Sequence, residues 1–334
     1  MILADMNPPC LPDLGENTLF ETDRQRLIEQ IKAERVRVLS MLGERLAQGE
    51  DTGSTAAARL AHWTDVLITG LFEQIQHAKP ESRRTPMALV GLGGYGRGQL
   101  APHSDIDLLF LTQNPISDDA AGAVEALLYV LWDAGFKVGQ AVRSMSQCMT
   151  EANDDVRTLT SMIENRLITG DVGLAARLDD KIKQLLRGGR SRRFTDEKMA
   201  ERRNRYMQPG NSRYALEPHV KEGIGGLRDL HTLYWITQAR FDGTGAALLH
   251  EQGLLTAGQA ERMRTAETFF WTVRFHLHLL TGRGEDRLNF DLQLDVAKAL
   301  GYAPRGRQQA VERFMTRYYK MTRDVGALSY FVLA

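Results

Sequence analysis

The chain is 334 residues long and carries 42 Lys and Arg against 42 Asp and Glu, for a formal net charge of zero. A hydrophobic fraction of 43% with 25% charged residues is ordinary globular composition, which excludes disordered, collagen-like and low-complexity chains. The length allows about two domains, and the charge balance argues against binding nucleic acid by bulk electrostatics.

The first 80 residues read mostly as helix. Leu27, Ile28, Ile31, Val38, Leu42 and Leu46 share one helical face before Gly49, and Leu60, Trp63, Leu67, Leu71 and Ile75 share a second. Pro80 and Pro86 then punctuate the chain. Residues 87–92 form a short apolar run suited to a buried strand; a Gly-rich turn and Pro102 follow, then a second strand at 106–111. Ser117 or Asp118 caps a helix carrying Val124, Leu127, Leu128, Leu131 and Trp132, which stops at Gly135. Residues 137–144 are a third strand. From about residue 146 everything reads as helix, broken at Gly170, 188–189, 209–210, 223–226, 282–284 and near Pro304. The expected organisation is N-terminal helices over 1–80, a small sheet-bearing core over 81–148 and an all-α domain over 149–334: an α/β chain that is mostly helical.

Two cysteines, Cys10 and Cys148, are too few for a disulfide framework or a thiolate metal site. No apolar run approaches the roughly 18 residues of a membrane span, and Met1 to Asp5 has no basic region of the secretory kind. The expectation is a cytoplasmic protein with neither nucleic acid nor membrane as partner.

The stretch with chemistry in it begins at Gly91. Gly91, Gly93 and Gly96 satisfy G-x-G-x-x-G, but Pro102 and the next strand arrive too soon for the long helix a dinucleotide fold needs. No Gly-Lys-Ser/Thr follows, so a P-loop is excluded as well. What remains is Gly93-Gly94 and then Ser104-Asp105-Ile106-Asp107 at a strand start. Side chains at i and i+2 of a strand share a face, so Asp105 and Asp107 converge while Ile106 turns inward. Paired carboxylates repel unless a cation sits between them, and Mg²⁺ suits one or two carboxylates completed by phosphate oxygens. Gly93 and Gly94 clear room for a triphosphate and offer backbone N–H groups to it. The combination describes metal-assisted nucleotidyl transfer.

These residues resemble the nucleotidyltransferase superfamily, with its Gly-Gly turn and Asp-x-Asp strand. The fuller string from Gly93 to Gly98 and from Ser104 to Leu109 is most similar to the PII protein uridylyltransferases of bacterial nitrogen regulation. Three later segments carry the same resemblance: 164–171 (ENRLITGD), 217–232 (EPHVK through GGLRDLHT) and 285–291 (EDRLNFD). The resemblance runs from about residue 20 to the C-terminus. It implies a polymerase-β-like nucleotidyltransferase domain followed by a helical domain that closes over the nucleotide. It further implies transfer of UMP from UTP to a tyrosine hydroxyl of PII, with release of pyrophosphate. Gly93, Gly94 and Ser104 are then expected to hold the nucleotide, and Asp105 and Asp107 to bind Mg²⁺ and act in catalysis. The segment 164–171 is expected to be a helix end.

Two departures stand out. Many superfamily members carry a third carboxylate on the strand after the intervening helix, and 137–144 has no acid; Asp154, Asp155 and Glu164 are near in sequence without an assigned place. Full-length family members continue into a phosphohydrolase domain with a His-Asp pair and into glutamine-sensing domains. None of the eight histidines here precedes Asp, so the chain reads as a fragment able to attach a nucleotide without the removing and sensing parts.

Lys221 and Arg228 flank the glycines at 223–226 just before a helix, an arrangement able to receive phosphate oxygens; the alternative is a structural turn in which Arg228 pairs with a neighbouring acid. Residues 181–213 hold eleven Lys and Arg against three acids, read as a solvated helix face rather than a landing site for an acidic partner. His276 and His278 face different sides of their helix, Phe269, Phe270, Trp271 and Phe275 are core, and Cys148 is a buried thiol. Two other functions remain open at this level: a nucleotidyltransferase for a small hydroxylated acceptor such as an aminoglycoside, and a non-catalytic nucleotide-binding regulatory module.

Overall fold

The computed structural model describes residues 21–77, 86–241 and 243–333; Cys10 and Pro80 lie outside the described residues. The chain divides into two compact units, Met1–Met41 with Ala57–Gln184, and Leu42–Ala56 with Leu185–Ala334.

The first unit holds most of α1 (Glu21–Ala47) and α2 (Gly53–His77), then β1 (Met87–Gly91), the single turn α3 (Gly93–Gly96), β2 (Ile106–Thr112), α4 (Asp118–Asp133) and β3 (Val138–Ser144). It continues through α5 (Met145–Asp154), α6 (Val156–Ile163), β4 (Arg166–Gly170) and α7 (Val172–Leu185). The sheet is mixed, in the order β3-β2-β1-β4. β1 pairs antiparallel with β2 on one side and β4 on the other, and β2 pairs parallel with β3. Parallel neighbours need a crossover, which α4 supplies. Every residue of β1 is buried and Asp107 is the only exposed residue of β2, whereas the edge strands are mostly half-exposed. Ser117 caps α4 by accepting from Ala120 N–H, and Gly135 (φ +81°) ends that helical segment in a conformation that favours glycine.

β4 corrects the sequence reading of 164–171 as a helix end, in a tract read as helix up to a break at Gly170. Glu164 does close α6, but Arg166–Gly170 is a strand on the free edge of β1. Its residues are half-buried, without the apolar run of a central strand, and a partner about 80 positions away in the chain decides its conformation.

The second unit is helical: α8 (Gly189–Tyr206), α9 (Leu227–Phe241), α10 (Gly245–Glu251), α11 (Ala257–Thr281), α12 (Phe290–Ala299) and α13 (Ala310–Leu333). Its core is aromatic. Phe270 meets Tyr318 edge-on at 5.6 Å, Phe314 lies 6.5 Å from the same tyrosine ring, and Trp271 and Phe275 are buried as well. Residues 42–56 join this unit through Gly53, whose N–H donates to Thr272 Oγ1 at 2.9 Å. No helix among the described residues is long and apolar enough to cross a membrane.

Candidate active site

The Gly-rich turn leaves β1 and closes at once. Leu92 N–H donates to Asp107 O at 2.9 Å, Gly96 N–H to Leu92 O at 3.0 Å, and Arg97 N–H to Gly93 O at 2.9 Å. Among the described residues, the N–H groups of Gly93 and Gly94 donate to no backbone oxygen. Gly93 adopts φ +56°, which side-chain-bearing residues avoid. A Cβ built there would stand 3.6 Å from Asp107 Oδ2, so the turn and the second aspartate meet. The antiparallel β1–β2 pairing leaves no place for a dinucleotide-binding crossover here.

Asp105 immediately precedes β2 and Asp107 is its second residue; both are exposed, and Ile106 between them is buried. That alternation directs two carboxylates outward beside the turn. Ser104 is half-buried. Its N–H donates to Ala101 O at 3.0 Å and its Oγ accepts from Ala101 N–H at 3.2 Å, closing the turn that leads to Asp105. Arg35 of α1 holds the same turn by donating to Pro102 O at 3.1 Å, with a second bond to Gly135 O at 2.8 Å.

The carboxylates left unplaced by sequence are engaged elsewhere. Asp155 caps α6, accepting from Thr158 N–H at 2.9 Å. Glu164 is buried in an ion pair with Arg97, at the end of the Gly-rich turn. Asp154 ends α5 and accepts from Asn153 at 3.2 Å. Among the described residues, no group of three or more His, Cys, Asp or Glu side chains is placed to hold a metal.

The segment 164–171 fastens the turn. Arg166 donates to Tyr95 O at 3.0 Å and Gly96 O at 3.1 Å, and binds Asp65 of α2 through two nitrogens at 2.7 and 3.1 Å. Its guanidinium also covers the Tyr95 ring at 5.5 Å. Gly96 packs so closely that an added Cβ would lie 1.7 Å from Glu164 O. Sequence reasoning marked this segment as a motif but assigned it no work; the pairing of Arg97 with Glu164 and of Arg166 with Asp65 has no local signature.

Lys221 and Arg228 belong to the second unit, at the ends of a turn closed by Arg228 N–H to Lys221 O at 2.8 Å and Gly223 N–H to His219 O at 2.8 Å. The Arg228 guanidinium donates to Glu222 through Nε at 3.0 Å and Nη2 at 2.8 Å and lies 5.3 Å from the Trp235 ring. Arg228 therefore does pair with a neighbouring acid. Burial alone raises the Glu222 carboxyl, but the hydrogen bond and charge of Arg228 outweigh it and hold the group below its usual range. Burial, and then the like charges of Arg274 and Arg228, pull the Lys221 ammonium below the usual lysine range.

Two carboxylates, Asp229 buried and Asp286 half-buried, pin this turn. Asp229 is fully buried and accepts from Gly225 N–H at 2.7 Å, Arg202 Nε at 3.4 Å, Arg205 and the Tyr206 hydroxyl. Asp286 accepts from Arg274 Nε at 2.7 Å, faces His278 Nε2 at 3.4 Å, and its carbonyl receives Val220 N–H at 2.8 Å. Leu288 N–H donates to Pro218 O at 2.9 Å, so the sequence motifs at 217–232 and 285–291 are two sides of one structure.

Most of the basic segment 181–213 is a solvated face, as its sequence suggests: Lys181, Lys183, Arg187, Arg192, Arg193, Arg203 and Arg213 are exposed. Arg190 and Arg193 pair with Glu197, Lys198 with Glu201, and Arg202 and Arg205 with Asp229. Cys148 is buried, and burial pushes its thiol up to about 11. His276 and His278 are buried as well.

Residues 193–333 match the sequence profile described as GlnD PII-uridylyltransferase. Over 337 aligned residues, 96% of this chain, it is 39% identical to the bifunctional uridylyltransferase/uridylyl-removing enzyme of Rhodospirillum rubrum. The chain belongs to the PII-uridylyltransferase family. Bifunctional enzymes of the same description in Phenylobacterium zucineum and Novosphingobium aromaticivorans are 39% and 38% identical over 92% and 99% of the chain. The chain spans about a third of the length of these curated relatives, 36%, 33% and 36% in turn. The family profile takes in the turn bearing Lys221 and Arg228.

Proposed function

We propose that this chain transfers UMP from UTP to a tyrosine hydroxyl of the PII protein, with Mg²⁺ held by Asp105 and Asp107. The observation that carries the reading is the meeting of the Gly93-Gly94 turn with a pair of exposed carboxylates at the start of β2, in a chain of the uridylyltransferase family. Uridine, PII and tyrosine enter through the family alone; the residues themselves support metal-assisted nucleotidyl transfer.

The donor set fits the metal. Two exposed carboxylates bordered by glycine offer hard oxygen ligands and leave positions for phosphate oxygens and water, the usual environment of Mg²⁺. When bound, Mg²⁺ supplies charge neutralisation of the triphosphate and Lewis-acid activation at the α-phosphorus.

The chain's own residues do the rest. Gly93 and Gly94 present N–H groups to triphosphate oxygens at a point where no side chain intervenes. Ser104 shapes the approach to Asp105. The tyrosine oxygen forms a bond to the α-phosphorus, the bond from that phosphorus to the bridging oxygen of the β-phosphate breaks, pyrophosphate departs, and the hydroxyl proton passes to water.

The test is incubation with α-labelled UTP, Mg²⁺ and PII. Label on a PII tyrosine, lost in Asp105→Asn and Asp107→Asn, is the expected result. Full transfer in those variants sinks the site. Label on a small hydroxylated acceptor but not on PII, or nucleotide binding without pyrophosphate release, replaces the activity with one of the two alternatives.

A further inference from the structure

We infer that Gly139 is a positioning residue for Asp107, and that its missing side chain is what allows the carboxylate to stand where a cation and a nucleotide can use it. The inference rests on the reading of Asp107 as a metal ligand.

β2 and β3 run parallel with Asp107 opposite Gly139, so the two residues point their Cβ directions to the same face of the sheet. A glycine inside a strand costs order and packing, and needs a reason. The common reasons are absent. Gly139 is not among the glycines with positive φ, so its backbone conformation is open to any residue. No backbone atom stands within 4 Å of the place its Cβ would occupy. What does stand there is one group: Asp107 Oδ1 at 2.5 Å, with Cγ at 3.7 Å. The other carboxylate oxygen, Oδ2, faces Gly93. Asp107 therefore has a glycine beside each of its oxygens, and the two differ in kind. Gly93 is required by its backbone angle, Gly139 only by the carboxylate.

A methyl group at 139 meets the far end of an exposed side chain and no backbone atom. The fold is then untouched, and the carboxylate retreats by about 1 Å to reach ordinary contact distance. Mg²⁺ demands near-ideal octahedral geometry, and a displacement of about 1 Å in a reacting assembly costs on the order of a hundredfold in rate.

The experiment compares the wild type, Gly139→Ala, Asp107→Asn and the double variant. Mn²⁺ binding is titrated by electron paramagnetic resonance with a UTP analogue that resists cleavage between the α- and β-phosphates; melting temperature and uridylyl transfer are measured alongside. Gly122→Ala is the control, since nothing lies within 4 Å of its added methyl group. Expected for Gly139→Ala is a melting temperature at or above wild type, Mn²⁺ affinity at least tenfold weaker, and transfer about a hundredfold slower. In the Asp107→Asn background the same substitution is expected to change nothing further. Unaltered Mn²⁺ affinity, a melting temperature lowered by several degrees, or an equal loss in the Asp107→Asn background each overturns the assignment. Failure of the metal reading itself looks different: the wild type then binds no Mn²⁺.

Discussion

Replacing Asp229 with alanine tests how the turn bearing Lys221 and Arg228 is held. The carboxylate is fully buried, and the side chains of Arg202 and Arg205 around it are only 11% and 14% exposed. Alanine leaves both guanidiniums without their counter-charge and strips the acceptor from Gly225 N–H and the Tyr206 hydroxyl. Removing one partner of a buried ion pair costs about 3–5 kcal/mol, because the surviving charge stays desolvated. For a unit of this size each kcal/mol shifts melting by roughly 2–4 °C, so the unit bearing Asp229 is expected to melt roughly 6–20 °C lower. Calorimetry and urea titration read the loss directly. Asp229→Asn keeps one acceptor oxygen and is expected to lose less. A cycle with Arg205→Met separates charge from shape: if the pair is coupled, the double variant loses at least about 1 kcal/mol less than the sum of the singles. A loss under 1 kcal/mol in Asp229→Ala, or strict additivity, refutes the view that this carboxylate is the anchor.

Three further outcomes are expected. Gly96→Ala forces a methyl group into Glu164 O and Gly91 O, 1.7 and 2.7 Å away, and is expected to cost about 3 kcal/mol by overpacking and to abolish transfer; equilibrium unfolding checks the first and labelled UTP the second. The Cys148 thiol, raised to about 11 by burial, is expected to resist alkylation at pH 8 until denaturant is added, and rapid labelling of the native chain contradicts its burial. Acid is expected to weaken the helical unit. Burial, the largest influence, lowers the pKa values of His219, His276 and His278, so the unfolded histidines take up protons near pH 6.5 while the folded ones do not. Stability is then full above about pH 6.5 and falls with decreasing pH, by up to about 1.4 kcal/mol per pH unit for each group. Asp286 adds to this at lower pH. Burial raises its carboxyl, but His278 and Arg274 together outweigh burial and hold it far below the usual range, so its contribution is present above about pH 4 and lost as the pH falls further. Urea midpoints at pH 7.5, 6, 4.5 and 3 follow the trend, and a flat profile removes these groups as its cause.

The sheet-bearing region was legible where its signals are local. An apolar run ending in glycine became β1, the Asp-x-Asp alternation opened β2, and Ser117 and Gly135 bounded the helix between them and β3. The breaks at Gly188 and at 282–284 also fell between helices. β4 was missed because its partner, not its composition, makes it a strand. The supporting side chains were missed for a related reason. Arg35, Arg97 and Arg166 are ordinary surface types in sequence and gain their purpose from carbonyls and carboxylates more than 60 residues away. Gly139 did leave a trace, as a glycine inside a strand with no turn to make. The basic segment at 181–213 was legible as a solvated face, except that Arg202 and Arg205 turn to the buried Asp229, a partner more than 20 residues away.

The position of β4 also bears on the order in which the chain is made. β1 sits between β2 and β4, and during synthesis β2 reaches it long before β4 does. Until Arg166–Gly170 has left the ribosome, one side of a fully apolar strand is an open edge, and the Gly-rich turn lacks the guanidinium that grips its carbonyls. Unpaired edges of this kind recruit other strands. Nascent chains that have released β2 but not β4 are therefore expected to aggregate more readily than the finished chain, and release from that hazard comes with the same few residues that fasten the Gly-rich turn.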